Sequence, residues 1–95
     1  MRLGTVVGQV VSTAKEPALA GFTLLLVEDL NGPAADAGSV YVAIDLVGAG
    51  DGEVVLVATG SAARVSQAAG QVPVDCAVVA IADTVIRHGD ITYSK

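Results

Sequence analysis

Apolar and polar residues follow one another along this chain in short runs, and most of the runs read as β-strands. Residues 3–13 are rich in Val and Thr, with Gly4 and Gly8 placed as bends or bulges. Residues 21–28 carry Phe22-Thr23-Leu24-Leu25-Leu26-Val27, a continuous apolar run of the kind a core strand presents. Lys15-Glu16-Pro17 marks a loop between the two, and Asn31-Gly32-Pro33 opens a longer polar, alanine-rich loop that runs to Gly38. Residues 39–47 and 53–59 are two more apolar runs; they flank a glycine stretch and so predict a hairpin. Pro73 opens residues 74–86, the last long strand, and residues 88–95 form a tail, as a short edge strand or an arm.

One segment breaks the β pattern. Between Gly60 and Gly70, Ser61 can cap a helix start, alanines fill the body and the second glycine supplies the stop. The expected fold is therefore all-β: a small five-stranded closed barrel of the OB type, with one short helix before the last long strand. Glycines permit the sharp strand curvature such a barrel needs. Ninety-five residues make one domain, spanning 1–95.

Composition adds a constraint on how that barrel lives. A domain of this size buries only about 60–65% of its unfolded surface, yet 53% of the residues are hydrophobic and the mean hydropathy is +0.66. The apolar mass is Val, Ala, Leu and Ile; the aromatics are Phe22, Tyr41 and Tyr93. A small chain with more apolar surface than it can cover buries the remainder against copies of itself. The formal net charge is −5, with Arg2, Lys15, Arg64, Arg87 and Lys95 against ten acids. That disfavours nucleic acid, which needs a basic footprint, and an anionic membrane surface. No run approaches the length of a transmembrane helix, and Gly4, Thr5, Gly8 and Gln9 interrupt what would otherwise mimic a signal peptide. One cysteine, Cys76, makes no disulfide framework and fits a cytosolic chain; its apolar neighbours suggest a buried, inert thiol.

The densest candidate chemistry is Asp45-Leu46-Val47-Gly48-Ala49-Gly50-Asp51-Gly52-Glu53, with three glycines in five residues ringed by three acids. A dinucleotide fingerprint would open a helix, and a P-loop would end in Gly-Lys-Ser/Thr; neither is present, and Asp51 and Glu53 would repel a phosphate. Asp45, Asp51 and Glu53 could offer oxygen to a hard cation, but their spacing matches no EF-hand. The remaining reading is a tight turn whose glycines admit positive φ and a close neighbouring backbone. His88 lacks a nucleophile partner by spacing, and Asp75 and Asp83, eight apart in one strand, are expected on one face and far apart. Arg64 either reaches a carboxylate across a subunit boundary or is solvated. No catalytic residue, metal site or cofactor is expected.

Four stretches together resemble the EutN/CcmL family of bacterial microcompartment vertex proteins. They are residues 3–15 with the Thr13-Ala14-Lys15 turn, residues 42–53 with the glycine stretch, Gly60-Ser61-Ala62-Ala63-Arg64, and residues 73–83 from Pro73-Val74-Asp75 to Asp83. The chain departs from the family's usual pattern at Phe22, Glu28-Asp29, Leu46 and Ala80. The resemblance implies an OB-like barrel that forms a homopentamer and, with hexameric shell proteins, closes the corners of a polyhedral shell in the cytoplasm. It is a structural role, with no enzyme activity, nucleic acid or membrane involved. On that basis Asp45, Gly48, Ala49, Gly50 and Glu53 are expected at a subunit boundary or near the fivefold axis. Ala62 would pack closely beside a neighbour, Ser61 would cap the helix and Arg64 would bridge to a carboxylate. Asp75 and Asp83 would fix the ends of the last strand. The alternative is an OB barrel acting as a binding module for a ligand or nucleic acid; three aromatics and five basic residues are few for such a site.

Overall fold

The computed structural model describes residues 1–13, 15, 17–30, 38–60, 63 and 74–95. Seven strands follow one another: β1 (Arg2–Val10), β2 (Thr23–Asp29), β3 (Val40–Asp45), β4 (Val54–Thr59), β5 (Cys76–Ile81), β6 (Thr84–Arg87) and β7 (Asp90–Ser94). The first five close into a barrel in the order β1-β2-β3-β5-β4, with β4 returning to β1. Beyond a short 3-10 turn at Pro17–Leu19 and 3-10 geometry at Gly60 and Ala63, the described residues are strands and loops. The all-β, five-stranded closed barrel expected from the pattern is thus the fold. The helix expected after Gly60 lies outside the described residues, save Ala63, which is buried.

Strand curvature comes from the places the glycines mark. In β1, Val6 pairs with Val27 but Gly8 pairs with Leu26, so Val7 is the extra residue of a bulge and turns outward, 43% exposed. Gly4 sits where β1 and β2 press together: a Cβ there would clash with Val27 and lie 3.0 Å from the Glu28 carbonyl oxygen.

The hairpin expected between residues 39–47 and 53–59 does not form. β3 pairs with β2 and β5, β4 pairs with β1 and β5, and β5 lies between them. The eight residues 46–53 are a crossing over the barrel mouth, too long for a two-residue turn. The β3–β5 contact is parallel, through Ile44↔Ala77 and Asp45↔Val78. The last long strand expected over residues 74–86 is also divided. After β5, Ala82 N–H still bonds the Val54 carbonyl at 2.8 Å, and Asp83 is exposed as the chain leaves the barrel. β6 then pairs with β7 in a separate two-stranded sheet. The tail is one arm of that hairpin, whose two-residue turn has φ of 54° at His88 and 81° at Gly89, the backbone of a type I′ turn.

Alternation along the strands sends two sets of side chains inward and outward. Inside the barrel, Val6, Leu25, Val27, Ala43, Val55, Val57 and Val78 make the core, with Tyr41, Ala49, Cys76 and Ile81 against it. A second cluster lies on the opposite face of β3 and β5: Ile44, Ala63 and Ala77, packed by Leu19, Phe22, Leu24, Leu46, Val74 and Val79. Phe22 and Leu46 thus belong to this outer cluster.

Candidate functional site

Asp45 ends β3 and turns both carboxylate oxygens on the loop that follows. Oδ1 accepts the N–H groups of Val47 at 3.1 Å and Gly48 at 3.0 Å, and Oδ2 accepts that of Ala49 at 2.9 Å. Gly48 holds φ at 79°, which brings the successive donors to one acceptor. Glu53 closes the other end: its Oε1 accepts Gly50 N–H at 2.6 Å, and its own N–H donates to the Gly50 carbonyl at 3.2 Å. Two further bonds strap the loop to β1, from Gly52 N–H to the Val6 carbonyl at 2.8 Å and from Val6 N–H to the Glu53 carbonyl at 2.9 Å. Ala49 drops onto the barrel core. The N–H groups that a phosphate loop would offer are therefore already bonded to Asp45 and Glu53, and the glycine stretch is a fixed cap over a barrel mouth.

Glu53 has a second partner. Its Oε2 lies 2.5 Å from Lys95 Nζ, which ties the end of β7 to the glycine loop. The Lys95 hydrogen bond, with the Gly50 N–H after it, holds the Glu53 carboxyl below the usual carboxylate range; the same hydrogen bond raises the Lys95 ammonium pKa.

At the far end of β2, Asp29 is buried and its Oδ2 lies 2.5 Å from Arg2 Nη2. The Arg2 guanidinium stands 5.8 Å from the centre of the Tyr41 ring, within cation–π range. These groups, with Ser39, Asp75 and Cys76, line a hollow of about 390 Å³. Burial first, then the Asp29 charge, pushes the Tyr41 hydroxyl pKa up, and burial followed by the Asp75 charge pushes up the Cys76 thiol. Cys76 is half-buried rather than buried, but the raised pKa keeps it a poor nucleophile.

Asp45, Gly48, Ala49, Gly50 and Glu53 thus come together in one loop. Asp75 and Asp83 do not share a strand face: they flank β5, one before Cys76 and one after Ile81, both exposed. Their carbonyls accept Gly60 N–H and Lys95 N–H, each at 2.8 Å. Ser61, Ala62 and Arg64 lie outside the described residues. Sequence reasoning passed over the pairs Arg2–Asp29 and Glu53–Lys95. Alternation through Leu25 and Val27 does point Asp29 inward, and a carboxylate facing a core requires a cation.

Apolar side chains remain on the outside. Val40 and Val42 are 53% and 45% exposed on the outer face of β3, and Ile86 and Ile91 are each 65% exposed on the β6–β7 hairpin.

The family model described as ethanolamine utilisation protein EutN/carboxysome matches residues 1–83. The microcompartment shell vertex protein GrpN of Rhodospirillum rubrum is 48% identical over 85 residues, covering 90% of this chain and 96% of that protein. The solved carboxysome subunit CcmL superposes with a TM-score of 0.88 at 46% identity, over 100% of this chain and 99% of that one. The solved GrpN pentameric microcompartment shell protein from Rhodospirillum rubrum gives a TM-score of 0.75 at 47% identity, over 92% of this chain and 98% of that one. The chain belongs to the EutN/CcmL family.

Proposed function

We propose that this chain assembles as a homopentamer that occupies the vertices of a bacterial microcompartment shell in the cytoplasm. Its partners there are hexameric shell proteins, and its role is structural rather than catalytic. The observation that carries this is the likeness over 92% of the chain to the solved GrpN pentameric shell protein. The exposed Val40, Val42, Ile86 and Ile91 agree with it, because a solitary barrel would leave them in water. The glycine loop, with Asp45, Gly48, Ala49, Gly50 and Glu53, presents a rigid backbone edge at a subunit boundary or near the fivefold axis. Asp75 and Asp83 mark the exposed ends of β5 at the same assembly's surfaces.

The test has two stages. Light scattering behind size exclusion should give one species of five chains. Co-expression with hexameric shell proteins should then yield closed polyhedral particles in electron micrographs, and omission of this chain should leave open or irregular ones. Closed particles of the same shape without it would refute the vertex role.

A further inference from the structure

The glycine loop carries the chain's one Asp-Gly step, Asp51-Gly52. An aspartate followed by glycine is open to attack by its own backbone, because the next residue has no Cβ to hinder the approach. The Gly52 nitrogen bonds to Cγ of the protonated Asp51 carboxyl, and the nitrogen's proton leaves with the carboxyl hydroxyl as water. Water then adds back to the five-membered imide at either carbonyl. Breaking the new N–Cγ bond restores aspartate. Breaking the original peptide bond leaves the chain running through the side chain, as isoaspartate. Nothing is oxidised or reduced, and water is the sole co-reactant.

The loop supplies most of what this reaction needs. Asp51 and Gly52 are exposed, so water reaches both. Asp45 and Glu53 are engaged with the loop backbone and with Lys95, whereas among the described residues no hydrogen bond or ion pair holds the Asp51 carboxylate. The nucleophile, however, is tied down. Gly52 N–H donates to the Val6 carbonyl at 2.8 Å, and Val6 N–H donates to the Glu53 carbonyl at 2.9 Å. Glu53 N–H donates to the Gly50 carbonyl at 3.2 Å, so the three successive peptide groups from Gly50 to Glu53 each make a backbone bond. Attack requires the Gly52 nitrogen to lose its proton and the Asp51-Gly52 peptide plane to turn toward Cγ. The bond to Val6 opposes both. Isoaspartate would add a methylene to the backbone at this point, putting the Gly52 and Glu53 groups out of register with Val6. A loop that has reacted therefore cannot close as before.

We infer that Asp51-Gly52 is a latent isomerisation site, held off by the strap to Val6 and released when the loop lifts from β1. The wild-type chain is aged folded and, in parallel, unfolded in guanidinium chloride, then digested with a protease that cuts before aspartate. Isoaspartate resists that cut, so reaction at residue 51 appears as an uncut 45–74 peptide, apart from the 29–35 peptide that holds Asn31-Gly32. The unfolded chain should accumulate it at least about tenfold faster, since each net backbone bond shifts opening by a few-fold to about tenfold. Asp45→Ala loosens the loop, and Glu53→Ala removes its contact with Gly50 and its tie to the β6–β7 arm. With far-UV circular dichroism verifying that each variant folds, isomerisation should rise in step with hydrogen exchange at the Gly52 amide. Equal rates in the folded and unfolded wild type would overturn the shielding, and no uncut peptide even in the unfolded chain would overturn the site. Isomerisation that does not follow Gly52 exchange would overturn the strap as its cause. Protection lost on dilution would do the same, and would assign the shielding to a neighbouring chain.

Discussion

The Asp45 carboxylate accepts three successive backbone N–H groups, from Val47, Gly48 and Ala49. Asp45→Ala removes all three acceptors. Two of those bonds are exposed, where water substitutes, so the expected loss is about 1–3 kcal/mol in urea unfolding. Asp45→Asn keeps one carbonyl oxygen and should lose less. Gly4→Ala drives a methyl group into Val27 and the Glu28 carbonyl; overpacking of this sort costs about 1–3 kcal/mol, read as a lower urea midpoint with an unchanged slope. At this scale the sequence was legible in part. The glycines and acids of residues 45–53 stood out as a unit, and their phosphate and EF-hand readings failed on spacing. That the acids bond the loop's own backbone was not legible, because such bonds depend on φ values that composition does not state. The buried Asp29 stood two residues beyond Val27 on the inward side, and a count of alternation alone reaches it.

Among the elements, the arm and the glycine loop depend on one another through Glu53 and Lys95. Glu53 has its pKa lowered on folding, so its contribution is present above the ordinary carboxylate pKa and is lost as pH falls through the lowered value. Lys95 has its pKa raised, so its contribution is present below the ordinary lysine pKa and is lost as pH rises through the raised value. The protection of β7 amides, taken relative to the unstructured chain at each pH, should therefore be steady across neutral pH and fall at both extremes, and Glu53→Gln should remove the acid limb. Salt should weaken the same contact, since both groups are near the surface. At the arm's turn, Gly89 has φ of 81°, so Gly89→Val should open the hairpin and raise exchange across residues 84–95 while β1–β5 stay protected. The strands themselves were readable from apolar runs, but their partners were less so. A glycine stretch between β3 and β4 imitates a hairpin, and only the parallel β3–β5 pairing, set by residues far apart in sequence, separates them. His88-Gly89 makes a type I′ turn without the Asn-Gly or Asp-Gly that signals one.

As a whole molecule, the chain joins a barrel that closes on itself to an arm that does not. The family-model match spans residues 1–83, and β6 and β7 follow it. A chain cut after residue 83 should keep the β-type far-UV spectrum and a cooperative thermal transition, because the two core clusters lie wholly outside the arm. Loss of cooperativity in the shortened chain would mean that the arm is part of the folding unit. Fold class and family were legible from the order of motifs along the chain. The arm was legible in part: residues 88–95 read as a tail forming an edge strand or an arm, but residues 84–86 read as the end of the last long strand, because the apolar pattern runs on through Val85 and Ile86.

The place of β5 between β3 and β4 also sets an order of events at the ribosome. When Thr59 has been added, four of the five staves exist, yet β3 and β4 have no bond to one another. Residues 60–81 must still be made before the gap is filled, which at about 5–20 residues per second takes roughly 1–4 s. A chain released within that interval carries two open edges flanking an apolar interior. A message that stalls there releases a sticky half-product rather than a smaller barrel, so quality control has a defined moment at which to act.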